Sequence, residues 1–198
     1  MMRTTHEMTT VAPAEGHSDL HARLNVQALE GPVRLELLPM GGRFNLRASA
    51  AALGAASKAF GVTLPETIGK AADGAGRTAL CLGPDEWVLY AEVADTQAIV
   101  KAFESVYASA PHSLVDIGER EIALSIAGEQ AITLLSIGCP TDLRRMALGE
   151  GRRTVFDGAS VVVHRDAETA WRLEVWRSFL PHVWDLLNTV NRELATGL

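Results

Sequence analysis

Cys139 raises the first chemical question, because a cysteine thiolate is intrinsically very nucleophilic. It stands in Gly138-Cys139-Pro140-Thr141-Asp142-Leu143, and Arg144 and Arg145 follow at once. Neighbouring guanidinium groups would favour the thiolate. No histidine lies near it in sequence to act as a base. Gly138 and Pro140 read more simply as the end of an apolar helix, with the thiol packed as a small core residue. Other nucleophile, phosphate and metal signals are weaker. There is no GxSxG. Gly74-Ala75-Gly76-Arg77 starts like a phosphate loop, but it precedes a strand and lacks the third glycine, so it reads as a turn. Gly69-Lys70 lacks both the leading glycine and the following Ser or Thr of a P-loop. His17 and His21 are one helical turn apart with no third donor nearby, and His112, His164 and His182 are scattered.

Arginine is the richer signal. Arg144, Arg145, Arg152 and Arg153 fall within ten residues, opposed there only by Glu150. Guanidinium forks suit carboxylates and phosphates. A solvated loop is the default reading, and acidic residues of a partner come second. The second gains weight from Trp176, Arg177 and Phe179, since aromatics with arginine are the usual composition of interface anchors. These seven residues are the candidate partner interface. No residue is singled out as catalytic, cofactor-binding or metal-ligating.

The elements that would carry them follow from periodicity. Trp171, Leu173 and Val175 alternate with Arg172, Glu174 and Trp176, which predicts a strand with an apolar face and an outward polar face that exposes an indole. Ser178 is the expected N-cap of a closing helix, with Leu180, Val183, Leu187, Val190 and Leu194 at helical spacing. Upstream, Val33–Leu38, Phe44–Ala48, Thr78–Leu82 and Glu86–Ala91 read as strands, with helices over 49–60 and 96–107. Ser113–Ile117, Glu121–Ile126, Thr154–Phe156 and Ser160–Arg165 repeat that order, with a helix over 128–137. Gly-x-Arg opens the second strand of each half at Arg43 and Arg120, and Trp87-x-Leu89-x-Ala91 matches Trp171-x-Leu173-x-Val175. The pattern predicts an α+β fold of two related, internally duplicated ββα-ββα halves, with antiparallel sheets packed through their helices or each other. Residues 1–30 read as a flexible arm. Residues 31–198 read as one body with halves at about 31–110 and 111–198.

Bulk properties narrow the class. The 198 residues suffice for a substantial core, and a net charge of −6 argues against nucleic acid. No apolar run approaches the ~20 residues of a membrane span. The N-terminus has no apolar signal segment. Two well-separated cysteines fit a reducing, cytoplasmic location.

With these residues placed, the chain resembles the gamma subunits of heterotetrameric sarcosine oxidases. The resemblance rests on Gly138-Cys139-Pro140-Thr141-Asp142-Leu143, on Arg153-Thr154, and on Arg172-Leu173-Glu174-Val175-Trp176-Arg177-Ser178-Phe179 leading into Val183-Trp184-Asp185-Leu186-Leu187. It spans about 33–190 and is strongest at the C-terminal end. That family is related to the folate-binding domain of glycine-cleavage aminomethyltransferases, in keeping with the duplicated reading. The resemblance implies a complex that oxidatively demethylates sarcosine to glycine, using oxygen and passing the one-carbon unit to tetrahydrofolate. It implies that FAD, FMN, NAD and tetrahydrofolate belong to the alpha and beta subunits and zinc to delta. This chain would then be a non-catalytic structural subunit partnered by alpha, beta and delta. Two alternatives stand beside it. One is a free-standing folate-binding protein, for which Asp116 and the arginine pairs are the only candidates to orient a pterin. The other is an unrelated assembly module.

Overall fold

A computed structural model describes residues 31–197. The arm over 1–30, with His17 and His21, lies outside the described residues.

In chain order the elements are β1 (Arg34–Leu37), β2 (Gly42–Ala48), α1 (Leu53–Phe60), β3 (Ala71–Gly74), β4 (Arg77–Gly83), β5 (Glu86–Ala91), α2 (Thr96–Val106) and β6 (His112–Asp116). Then come β7 (Glu121–Ala127), α3 (Ala131–Ser136), β8 (Gly151–Phe156), β9 (Ala159–Arg165), β10 (Ala170–Trp176) and α4 (Leu180–Ala195). Each half thus holds five strands; β3, a short four-residue strand rich in Ala and Gly, is the one that periodicity misses. It is held by the β3–β4 hairpin, whose turn puts Ala75 and Gly76 at positive φ. Asp157 and Gly158 make the same kind of turn between β8 and β9.

Two five-stranded antiparallel sheets form, ordered β3-β4-β5-β2-β6 and β8-β9-β10-β7-β1. The order is the same in both, except that each half lends its first strand to the other's sheet. Neither half completes its sheet alone. Register corrects one expected correspondence. Trp87 sits opposite Leu46 and Trp171 opposite Ile126, so the tryptophans match as expected. In that frame Arg43 aligns with Ala123, opposite Tyr90 and Glu174 respectively, and not with Arg120.

Each sheet buries one face under its own helices. Trp171, Leu173, Val175, Leu124 and Ile126 pack with Leu134, Leu135, Val183 and Leu187. Trp87, Leu89, Phe44 and Leu46 pack with Phe60, Ile99 and Phe103. The other faces meet each other, so the sheets stack directly and the helices lie outside. That places Leu80, Val88 and Val162 between the sheets, all buried.

Two local expectations change. The last helix is capped at Phe179 without a side-chain cap, because Ser178 lies one residue too early. Gly138 is not a left-handed helix terminus. A Cβ there would stand 2.9 Å from the Phe156 ring, so close packing requires the glycine. No helix among the described residues is long and apolar enough to cross a membrane.

Candidate functional site

The polar face of β10 does not look outward. It faces the other sheet, and Glu174 is only 1% exposed. Outward solvation was the expectation; the reason for the difference is the strand Gly42–Ala48, which presents Arg43 from 131 residues away in sequence. The Glu174 carboxylate accepts from Arg43 Nη2 (3.4 Å) and Arg172 Nη1 (3.1 Å) at Oε1, and from the Tyr90 hydroxyl (2.9 Å) at Oε2. Tyr90 is in turn 3.1 Å from His164 Nε2. Since the Tyr90 proton goes to Glu174, the His164 Nε2–H donates. Arg43 Nη1 also donates to the Glu121 carbonyl at 2.7 Å. Both guanidinium groups lie over the Tyr90 ring, at 5.6 Å for Arg43 and 5.3 Å for Arg172.

The electrostatics follow from this enclosure. Burial, reinforced by the charges of Arg172 and Arg43, holds His164 well below its ordinary value, so it is neutral. Burial and the Glu174 charge push the Tyr90 hydroxyl well up. Burial raises Glu174, while Arg43 and Arg172 pull it back. Every strong charge here has a partner inside the network. Such a cluster joins two sheets; Arg172 also donates to Asp166 at 3.2 and 3.3 Å, and Arg43 Nε is buried with no partner among the described residues.

A second clamp lies at the rim. Arg153 donates through both Nη atoms to Glu86 at 2.7 Å each, across the two halves. The hydrogen bond from Arg153 holds the Glu86 carboxyl below the usual range, against its burial. Asn45 adds a 2.7 Å bond to the same carboxylate.

The arginine cluster seen in the sequence is therefore divided. Arg152 and Arg153 are neighbours on one strand and point to opposite faces. Arg153 is bound to Glu86 as above. Arg152 lies 3.8 Å from Glu150, which Lys70 also holds at 2.8 Å. Arg144 and Arg145 are exposed on a short 3₁₀ turn and make no ion pair among the described residues. Arg177 donates to Glu119 at 3.3 Å and lies against Met40.

Trp176 and Phe179 are brought together at the surface. Their rings are 6.3 Å apart, and they are 42% and 44% exposed. Arg120 stacks on the indole at 5.0 Å. Arg120 was not among the expected interface residues. Its spacing from Trp176 in sequence gives no hint; only the pairing of β7 with β10, which sets Glu121 opposite Trp176, brings it there.

The remaining candidates are placed as follows. Cys139 is buried in the core, its Sγ 3.8 Å from the Thr154 hydroxyl. His112 packs edge-on against Phe103 and Tyr107, and His182 pairs with Asp157 at the surface. No cluster of three or more His, Cys, Asp or Glu suited to a metal occurs among the described residues. Asp116 accepts from the Gly118 amide at 2.9 Å and lies in a groove whose lining includes no arginine.

Known proteins resemble this chain in sequence and in fold. Over 131 residues the chain is 31% identical to the sarcosine oxidase subunit gamma of Corynebacterium sp. (strain U-96), covering 65% of this chain and 63% of that one. Over 140 residues it is 29% identical to the Arthrobacter sp. sarcosine oxidase subunit gamma, covering 69% and 65%. The match thus spans under two thirds of each relative's length. The fold superposes on a chain of heterotetrameric sarcosine oxidase from Corynebacterium sp. U-96 with a TM-score of 0.77 and 27% identity, covering 90% of this chain and 94% of that one. It also resembles, in fold alone, the glycine cleavage system aminomethyltransferase T of Bartonella henselae, with a TM-score of 0.62, 14% identity, and coverage of 85% and 47%. The sarcosine oxidase, gamma subunit family matches residues 45–193, well over half of the sequence, and the chain belongs to it.

Proposed function

We propose that this chain is a non-catalytic, structural gamma subunit of a heterotetrameric sarcosine oxidase, the complex that demethylates sarcosine to glycine with oxygen and tetrahydrofolate. Its partners would be the alpha, beta and delta subunits, which would carry FAD, FMN, NAD, tetrahydrofolate and zinc. A cytoplasmic assembly fits its two free, buried cysteines.

The observation that carries this reading is the surface trio Trp176, Phe179 and Arg120. A stacked indole–guanidinium pair beside a second exposed ring is the composition of an interface anchor. The buried network supports the non-catalytic part, because the Glu174 carboxylate is already engaged by Arg43, Arg172 and Tyr90, and Tyr90 by His164. Arg144 and Arg145, which make no ion pair among the described residues, supply cations for acidic residues of a partner. Arg152, Arg153 and Arg177 keep an exposed edge but are paired within the chain.

Co-expression with the flavin-bearing chains tests the reading. The wild-type chain should elute with them. Trp176→Ala with Phe179→Ala should weaken that association by ~2 kcal/mol or more, about 30-fold, if both are hot spots. The isolated variant should melt within a few degrees of wild type. Micromolar binding of tetrahydrofolate to the isolated chain in calorimetry would instead favour a free-standing folate protein.

A further inference from the structure

The two sheets end differently. β1 and β6 are equivalent edge strands, each lent to the opposite sheet. In an antiparallel edge, alternate residues turn N–H and C=O away from the neighbour. The bonds Leu38 N to Ala123 O and Ile117 N to Arg43 O fix the phase. Val33, just before β1, and Leu35 are therefore outward on that edge, and His112, Leu114 and Asp116 on β6.

On β1 the outward groups of Val33 are taken. Asn191 Oδ1 accepts its N–H at 3.1 Å, and Asn191 Nδ2 donates to its C=O at 2.7 Å. Asn191 is buried at 2% exposure. It stands twenty residues after Trp171. The residue twenty after Trp87 is Tyr107, which is 56% exposed and only leans on the His112 ring. α2 has stopped one residue earlier, at Val106. So, among the described residues, the equivalent edge at β6 stays open.

Beside that edge runs a groove of about 570 Å³ between β6 and α2, floored by Phe44, Val100, Phe103 and Leu114. Glu104 and Asp116 are exposed on its rim, and Glu104 makes no ion pair among the described residues. The groove continues past Lys101, still bordered by both carboxylates. Val115 adds an exposed apolar side chain on the strand's other face.

We propose that this edge receives an extended segment of a partner subunit, paired to β6 as a sixth strand. Its apolar side chains fill the groove, and a lysine or arginine meets Glu104 and Asp116. This rests on the reading of the chain as an assembly subunit, and it names a second contact beyond Trp176 and Phe179. Backbone pairing supplies the affinity in such strand addition and the groove the selectivity. The acidic rim sets the sign of the partner's charge.

The test uses the full chain, alone and in the co-purified complex. Amide exchange over His112–Asp116 should be slowed at least tenfold in the complex relative to the chain alone. Glu104→Lys should weaken assembly about tenfold, with the melting temperature of the chain unchanged. Leu114→Pro removes an outward N–H without breaking a β2–β6 bond and should weaken it further; Glu104→Lys keeps the test sound if that variant folds poorly. If wild type assembles, but both variants assemble equally well and exchange is unchanged, the proposal is overturned while the subunit reading stands. If wild type does not assemble, the subunit reading itself fails. Concentration-dependent dimers of the chain alone, abolished by Glu104→Lys, would show that a second copy occupies the edge and would also overturn it.

Discussion

At β1, a 16-residue helix reaches far enough for one asparagine to take the first outward N–H and C=O of the sheet edge, at Val33; at β6, an 11-residue helix stops short and leaves a tyrosine in solvent. Both edges belong to the same strand order, and both helices bury the same register of apolar residues: Val183 and Leu187 in one, Ile99 and Phe103 in the other. The difference lies in one side chain and one further turn of helix. An open edge is an aggregation hazard unless something covers it. Among the described residues, one half thus engages its edge internally and the other leaves it available. Two units can share a fold and still divide the work of being a core and being a surface.

The largest effects should come from breaking what the halves have in common. Trp171→Ala removes a fully buried indole and should cost roughly 3–5 kcal/mol of stability in denaturant titration. Trp87→Ala should cost at least as much, because its indole N–H also donates to the Pro65 carbonyl at 2.7 Å. A loss below about 1 kcal/mol at one site only would mean that the halves do not share a packing plan. Glu174→Ala tests the join between the sheets. It leaves the buried Arg43 without its counter-charge and facing Arg172, which keeps only Asp166, so about 3–5 kcal/mol should be lost.

Smaller effects separate the two edges. Asn191→Ala should cost about 1–3 kcal/mol, because the Val33 N–H and C=O lose their partner. Tyr107→Ala should stay within about 0.5 kcal/mol, as for an ordinary surface change. Equal costs would erase the distinction between a closed and an open edge.

The smallest effect is a pH dependence. His164 is neutral in the folded chain and takes a proton on unfolding near its ordinary value of 6.5. The unfolded state then binds more protons, so stability should fall as pH drops through 6.5. Glu174, raised by burial, acts with the opposite sign at lower pH, nearer the carboxylate range. His164→Gln should flatten the melting temperature between pH 7 and 6. An unchanged slope would place the titrating group elsewhere.

The core faces were readable because they are local. Trp171, Leu173 and Val175 alternate, and alternation alone decides which face is apolar. The turn over Gly74-Ala75-Gly76-Arg77 was equally legible from residue type, although the strand that precedes it was not. The arginine cluster was misleading for a local reason too: Arg152 and Arg153 are adjacent in sequence, and adjacency on a strand separates them. Arg120 beside Trp176 had no sequence signal, since strand pairing alone unites them.

What the chain's residues determined by themselves was the set of strands and helices, β3 excepted, and the side of each that must leave water. Periodicity follows from backbone geometry, and that geometry is local. What only the tertiary structure decided was the fate of the polar sides. Whether Glu174 and Arg172 would be solvated or buried depended on what faced them, and that was Arg43 and Tyr90 from the other half. Which edge would be closed depended on Asn191 meeting Val33 across 158 residues. Charges and edges are settled by partners distant in sequence, because hydrogen bonds and ion pairs act only at contact.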